Sequence, residues 1–199
     1  SEHQIAVIET GASHPGEIAQ LSDIVDPDCG IITNVGRAHL EGFGSFEGVI
    51  HTKGELYDYL RSKAGAYIFL DGDNSYLTPM TSGLQTETYG KPGHGYGVEG
   101  EVIECTPYLK FRFRMAGGEW REVQSHLIGA YNVTNALAAI AIGRHFGVSA
   151  EDAAQAVAEY QPTNNRSELM HTADNELIVD AYNANPTSMK AALDNFALI

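Results

Sequence analysis

Cysteine is scarce in this chain: Cys29 and Cys105 are the two in 199 residues. They lie far apart and show no Cys-x-x-Cys spacing. A disulfide framework and a clustered thiolate metal site are both excluded, and the two thiols read as small packing residues suited to a reducing compartment. Positive charge is scarce as well. Lys and Arg number 12 against 26 Asp and Glu, a formal net charge of −14, so the basic stripe of a nucleic-acid-binding surface is missing. No apolar run reaches the roughly 18–20 residues that span a bilayer. Ser1-Glu2-His3-Gln4 has no basic start of a signal peptide. No GxxxxGK[ST] occurs, because Lys53-Gly54, Lys63-Ala64 and Lys91-Pro92 all lack the upstream glycine spacing. The chain therefore holds no phosphate-cradling P-loop of its own. Internal repeats and low-complexity tracts are absent too.

What is present is ordinary globular material, 43% hydrophobic and 19% charged. The length suits one sizeable domain, or one domain plus part of another. The chain opens almost directly in an apolar run and stops within a helical pattern at Leu198-Ile199. Termini are usually polar and frayed, so both ends are expected to lie inside a longer protein.

The first apolar run, Ile5 to Ile8, is β-branched and predicts a buried parallel strand. The loop Glu9-Thr10-Gly11-Ala12-Ser13-His14-Pro15-Gly16-Glu17 follows. Ser13 or His14 is expected to cap a helix that reaches about Val25 and stops at Asp26-Pro27-Asp28. Cys29 to Val35 predicts a second buried strand, Phe46 to Leu60 a helix, and Ala66 to Leu70 a third strand. That order, β-α-β-α-β, implies parallel strands with right-handed crossovers. Beyond Thr88-Tyr89-Gly90, a possible further core strand, the texture changes. Val98–Cys105, Leu109–Arg114 and Trp120–His126 alternate apolar and polar residues, and Gly117-Gly118 is a hairpin turn signal. They predict a small antiparallel sheet inserted at about residues 95–128, with Lys110, Arg112 and Arg114 on a solvated face. Val133 to Phe146 is helical with Gly147 at its C-cap, and Ser149 caps a second helix through Tyr160. Gln161-Pro162-Thr163-Asn164-Asn165 is the best linker candidate. Leu177–Asp180 then predicts a strand and Pro186–Leu198 a helix. The expected fold is α/β: a mostly parallel sheet flanked by helices, with the antiparallel strands beside it. Residues 1–163 form one domain, and 164–199 form a linker and the first β-α unit of another.

The stretch Asn34 to Glu55 gathers a His, carboxylates, a Lys and glycines after a predicted strand, where open α/β sheets bind ligands. Glu9 and His39 would reach the same sheet edge if their strands are neighbours. A carboxylate, an imidazole and water make an acceptable Mg²⁺ or Mn²⁺ shell, although Glu9 could equally cap a helix and His39 fill a loop. Lys53 lies on the following helix, as a site residue or a solvated lysine. Asn132 and Asn135, one turn apart, suit a purine edge and would serve equally as capping groups. Arg166 could meet a phosphate, and Asp180 with Asn183 a ribose.

These stretches coincide with one known pattern. Glu9-Thr-Gly-Ala-Ser-His-Pro-Gly-Glu-Ile, Asn34-Val-Gly-Arg-Ala-His-Leu-Glu-Gly-Phe-Gly-Ser, Thr52-Lys-Gly-Glu, Gly129-Ala-Tyr-Asn-Val-Thr-Asn-Ala, Asn165-Arg-Ser and Asp180-Ala-Tyr-Asn-Ala-Asn-Pro resemble, in order, motifs of the Mur ligase family. His39-Leu-Glu-Gly-Phe-Gly and Tyr182-Asn-Ala-Asn-Pro favour the branch that adds D-alanyl-D-alanine to UDP-N-acetylmuramoyl-tripeptide.

The resemblance implies a P-loop-NTPase-like central domain whose P-loop lies upstream of residue 1, and a bacterial, cytoplasmic, ATP-dependent ligase of cell-wall synthesis. It implies ATP and Mg²⁺ as cofactors, with Glu9 and His39 as metal ligands. Lys53 would be a catalytic lysine and, if carbamylated, would support a second metal. Asn132 and Asn135 would bind adenine, Arg166 a phosphate, Asp180 and Asn183 the nucleoside, and Ser13 with His14 the UDP-muramoyl peptide. UDP-MurNAc-tripeptide and D-Ala-D-Ala would be the partners of a monomeric full-length enzyme, with no nucleic acid and no membrane insertion. Thr10 departs from the Leu or Met usual in the family. Two other readings stand beside this one: a relative acting on another amino acid or on a polyglutamate chain, and a non-catalytic nucleotide-binding module.

Overall fold

Alternating burial along the strands sorts the side chains onto two faces and sets the layers. The computed structural model describes residues 3–36, 40–162, 168–179 and 186–197. Its main sheet has six strands in sequence order: β1 (Cys29–Ile31), β2 (Tyr67–Asp71), β3 (Gln85–Gly90), β4 (Val98–Cys105), β5 (Tyr108–Met115) and β6 (Arg121–Ile128). β1 to β4 pair in parallel, and β4–β5 and β5–β6 antiparallel. The expected antiparallel strands are thus a continuation of the parallel sheet.

On one face, α3 (Phe46–Ser62) packs Tyr57 and Leu60 onto Ile68 and Leu70 of β2. On the other, α4 (Asn132–His145) and α5 (Ala150–Glu159) bury Leu137, Ile140 and Ala153 against Phe69, Tyr89, Phe111 and Phe113. Burying a side chain of this size contributes roughly 1.5–3 kcal/mol. Helix α1 (Glu17–Val25) packs on α3 rather than on the sheet. A short α2 (Leu40–Phe43) precedes α3, and Ser45 caps α3 by accepting from the Gly48 amide at 3.0 Å. The C-terminal end of α4 is pinned to the sheet by an ion pair between Arg144 and the buried Glu87, and the His145 ring meets Phe69 edge-on at 5.4 Å.

Four expectations are corrected. Ile5–Ile8 is not a strand, and Ile5, Val7 and Ile8 are 55%, 90% and 57% exposed. No described strand pairs with it, so β-branched propensity has nothing to pack against. The second predicted strand is only Cys29–Ile31. Neither Ser13 nor His14 caps α1, whose N-cap is Gly16 without a side-chain bond. The late segment contains more than the single strand and helix expected. β7 (Glu168–His171) pairs antiparallel with β8 (Glu176–Val179), and α6 (Pro186–Phe196) follows.

Strand polarity and register shape the functional edge. β6 is antiparallel to β5, which is antiparallel to β4, so β6 runs in the same direction as β1, β2 and β3. Gly90 at the end of β3 is level with Glu99, near the start of β4. The rest of β4 therefore extends past the C-terminal end of β3 as a wall. Charges face one side of that wall: Lys110 pairs with Glu122, Arg112 with Glu101 and Arg114 with Glu99. The solvated basic face predicted for β5 is a ladder of cross-strand ion pairs, with both guanidiniums stacked on Trp120.

Glu99 closes the connection into the wall. Its buried carboxylate accepts from the amides of Gly93, His94 and Gly95 at 3.2, 3.1 and 2.7 Å, and from Arg114 at 2.7 Å. Arg114 first, then these amides, hold its carboxyl below the usual range. A carboxylate lowered in the folded state stabilises above its unfolded value and loses that contribution as pH falls through the folded one. Glu99→Gln should therefore cost roughly 1–2 kcal/mol at neutral pH. Urea unfolding between pH 7 and pH 3, about, should show the deficit constant well above 4.5 and shrinking below it.

Candidate functional site

The C-terminal edge of the parallel strands brings together much of what the sequence singles out. β1 ends at Ile31, and Asn34 follows it. Lys53, one helical turn before Tyr57 on α3, donates from Nζ to the Asn34 carbonyl at 2.9 Å. Burial lowers the Lys53 pKa, with no carboxylate acting on it. The position therefore favours a neutral, nucleophilic amine more than an exposed lysine does.

Ser13 and His14 are exposed in the turn before α1. Their amides donate to Glu17 Oε2 at 2.6 and 3.0 Å, and Ser13 first, then His14, lowers the Glu17 carboxyl. Glu55 of α3 supplies the cap that Gly16 lacks. Its two oxygens accept from the Gly16 amide at 2.8 Å and the Ala19 amide at 3.0 Å. Gly42 of α2 lies so close that an added Cβ would come within 2.1 Å of the Ser13 carbonyl oxygen. The loop after β1 and the Ser13-His14 loop are therefore in direct backbone contact. Sequence reasoning had no signal for the partners of Glu55, which lie 39 and 36 positions away.

Glu9 is exposed at the end of the extended N-terminal segment. Asn132 and Asn135 open α4 just after β6, at the edge where β6 ends. Asn132 is half-buried and donates to the Ile128 carbonyl at 2.8 Å, while it accepts from the exposed Asn135 amide at 3.0 Å. Asn132 thus orients Asn135, which alone of the pair faces outward. Five strand spacings separate β1 from β6, on the order of 20 Å in a flat sheet. The Asn pair and Lys53 would therefore meet different parts of an elongated ligand. His39, Arg166, Asp180 and Asn183 lie outside the described residues.

Of the two residues that the sequence offers as metal ligands, only Glu9 lies among the described residues. Among the described residues no three His, Cys, Asp or Glu converge, which excludes a closed structural metal cage there. Mg²⁺ commonly takes one or two protein carboxylates and completes its shell with water and phosphate oxygens; the exposed Glu9 carboxylate fits that pattern.

Comparison with known proteins gives the family. The Mur ligase middle domain model matches residues 1–143. The chain belongs to the Mur ligase family. The Bacillus subtilis (strain 168) UDP-N-acetylmuramoyl-tripeptide–D-alanyl-D-alanine ligase is 39% identical over 191 residues, covering 96% of this chain and 40% of that protein. A crystal structure of MurF from Acinetobacter baumannii superposes with a TM-score of 0.88 at 33% identity, over 100% of this chain and 43% of the other. A MurF ligase from Thermotoga maritima, solved in complex with ADP, shares the fold with a TM-score of 0.80 at 23% identity, over 94% of this chain and 43% of the other. The chain thus spans about two fifths of the length of these relatives.

Lys53 yields a direct test. Lys63 is held above its usual pKa by hydrogen bonds to Asp26, then Asp28, and Lys110 by Glu122. Competitive amine labelling read by mass spectrometry at about pH 8 should modify Lys53 faster per unit of exposure than Lys63 or Lys110, because a larger fraction is neutral. The unfolded chain holds this proton more tightly, so Lys53 costs stability below its folded pKa, and the cost fades as pH rises to 10.5. Lys53→Met should gain on the parent as pH falls through that window.

Proposed function

We propose that this chain is the central catalytic part of an ATP-dependent ligase that joins D-alanyl-D-alanine to the terminal carboxylate of UDP-N-acetylmuramoyl-tripeptide. The observation that carries this reading is the close packing of the Ser13-His14 loop on the Asn34–Lys53 region at one sheet edge, in a chain 39% identical to a ligase of that name. In this reading the phosphate cradle lies outside these residues, since no P-loop sequence occurs in them. The boundary near residue 163 separates the central domain from the start of the next. The parent is a monomeric enzyme of the bacterial cytoplasm; no described helix is long and apolar enough to cross a membrane.

The reaction runs in two steps. The tripeptide carboxylate oxygen attacks the γ-phosphorus of ATP and ADP leaves, giving an acyl phosphate. The amine of D-alanyl-D-alanine then attacks the acyl carbon, phosphate leaves, and an amide remains. Bound Mg²⁺ would offset charge on the transferring phosphoryl group. The protein's part is positional. Ser13 and His14 present the peptide, and Asn135, held by Asn132, meets the adenine edge. Glu9 and His39 would hold the metal, and Arg166, Asp180 and Asn183 would contact the nucleotide. Lys53, as the amine or carbamylated, supports the phosphoryl group.

Two measurements test the reading. The full-length ligase, given ATP, the UDP-tripeptide and D-alanyl-D-alanine, should release ADP, and Asn135→Ala should raise its KM for ATP by about tenfold, the equivalent of one lost hydrogen bond. No ADP release would overturn the assignment. Calorimetry on these 199 residues alone should show weak Mg-ATP binding at best, and a Kd tighter than about 1 μM would contradict the missing-cradle argument.

A further inference from the structure

We infer that Glu55 is a positioning residue for the peptide substrate, fastening the Ser13-His14 loop to the helix that carries Lys53; the inference rests on the ligase reading above. Helix α1 starts at Gly16, which has no side chain to satisfy the first amides. Unsatisfied amides at a helix start attract an anion. That anion comes from α3: the half-buried Glu55 carboxylate spans the Gly16 and Ala19 amides, one oxygen on each, at 2.8 and 3.0 Å. Glu17, within α1, holds the preceding amides of Ser13 and His14. The loop is therefore suspended between two carboxylates, one in its own helix and one in α3.

The same helix fixes the other side of the site. Lys53, two positions before Glu55, holds the Asn34 carbonyl. Past residues 37–39, Gly42 sits against the Ser13 carbonyl, with no room for a Cβ. Gly48 of α3 in turn sits against the Phe43 carbonyl, where a Cβ would come within 2.2 Å. Asn34, α2, the Ser13-His14 loop and Lys53 thus form one frame tied through α3. A peptide seated on Ser13 and His14 is held at a set distance from Lys53, which is how an enzyme gains rate from orientation. Without the Glu55 bonds the loop would keep its own Glu17 contacts and lose its registry with Lys53.

The predicted signature is selective. In the full-length ligase, Glu55→Ala should raise the KM for the UDP-tripeptide by tenfold or more, roughly the loss of one or two charge-assisted hydrogen bonds, and leave the KM for ATP within about twofold. Glu55→Gln, which keeps one acceptor oxygen, should fall between the two. Gly42→Ala, which touches no charge, should reproduce the peptide effect by pushing the Ser13 loop away. Hydrogen exchange read by mass spectrometry over residues 13–19 should speed up in Glu55→Ala, with exchange in α4 unchanged. A lower Tm with both KM values unmoved, or moved equally, would reduce Glu55 to a structural contact and overturn the proposal; so would unaltered exchange over 13–19. If the parent ligase releases no ADP, the functional reading falls, and the exchange measurement still decides whether Glu55 fastens the loop.

Discussion

Helix α3 can hold the site together because it lies directly on β1 at Gly30. A Cβ there would meet Leu60 Cδ1 at 2.6 Å and Leu56 Cδ2 at 3.0 Å, so the leucine tips of the helix fill the space that a side chain at Gly30 would take. From that seat α3 places Lys53 over the carbonyl of Asn34 and Glu55 under the start of α1. The three residues of β1 pair with β2 over Cys29–Tyr67, Gly30–Ile68 and Ile31–Phe69. Where the chain leaves β1, the described tie to α3 is the Lys53 bond to the Asn34 carbonyl.

The opposite end of the sheet is organised by charge. The wall of β4, β5 and β6 keeps Phe111 and Phe113 on its buried face, and turns Lys110, Arg112 and Arg114 toward Glu122, Glu101 and Glu99 on the other. Exposed pairs of this kind add little stability one at a time. Glu99 differs because its carboxylate is buried and also gathers three backbone amides. It sets the path by which the chain leaves β3 and enters the wall. That path in turn places the start of α4, with Asn132 and Asn135, at the outer end of the functional edge.

Much of this was legible along the chain, for identifiable reasons. Helices α3, α4 and α5 carry their signals locally, and the Ser149 cap of α5 accepts from the Asp152 amide as its sequence suggests. The alternation in β5 named both faces of the wall before any coordinates. Motif resemblance led to the family that the middle-domain match establishes. Other features depend on partners remote in sequence. Ile5 to Ile8 has the composition of a strand, but strand formation needs a neighbour, and none of the described strands takes that place. The four-residue α2 is too short for periodicity to reveal, and β7 appears only through its pairing with β8. The tie between Glu55 and α1 crosses more than thirty positions, and no local pattern announces it.

The side of β1 that no described strand covers has a consequence for these residues as a colloid. Among the described strands β1 lies at the edge of the sheet, and in these 199 residues taken alone Ile5, Val7, Ile8 and Ile24 stand 55–90% exposed. An unpaired edge and bare aliphatic groups favour self-association. A net charge of −14 pushes copies of the chain apart, but that repulsion reaches only about 10 Å in 0.1 M salt and about 3 Å in 1 M. Ionic strength should thus act on these 199 residues in isolation as a control on association, with dilute buffer favouring dispersed copies and concentrated salt removing the repulsion between them.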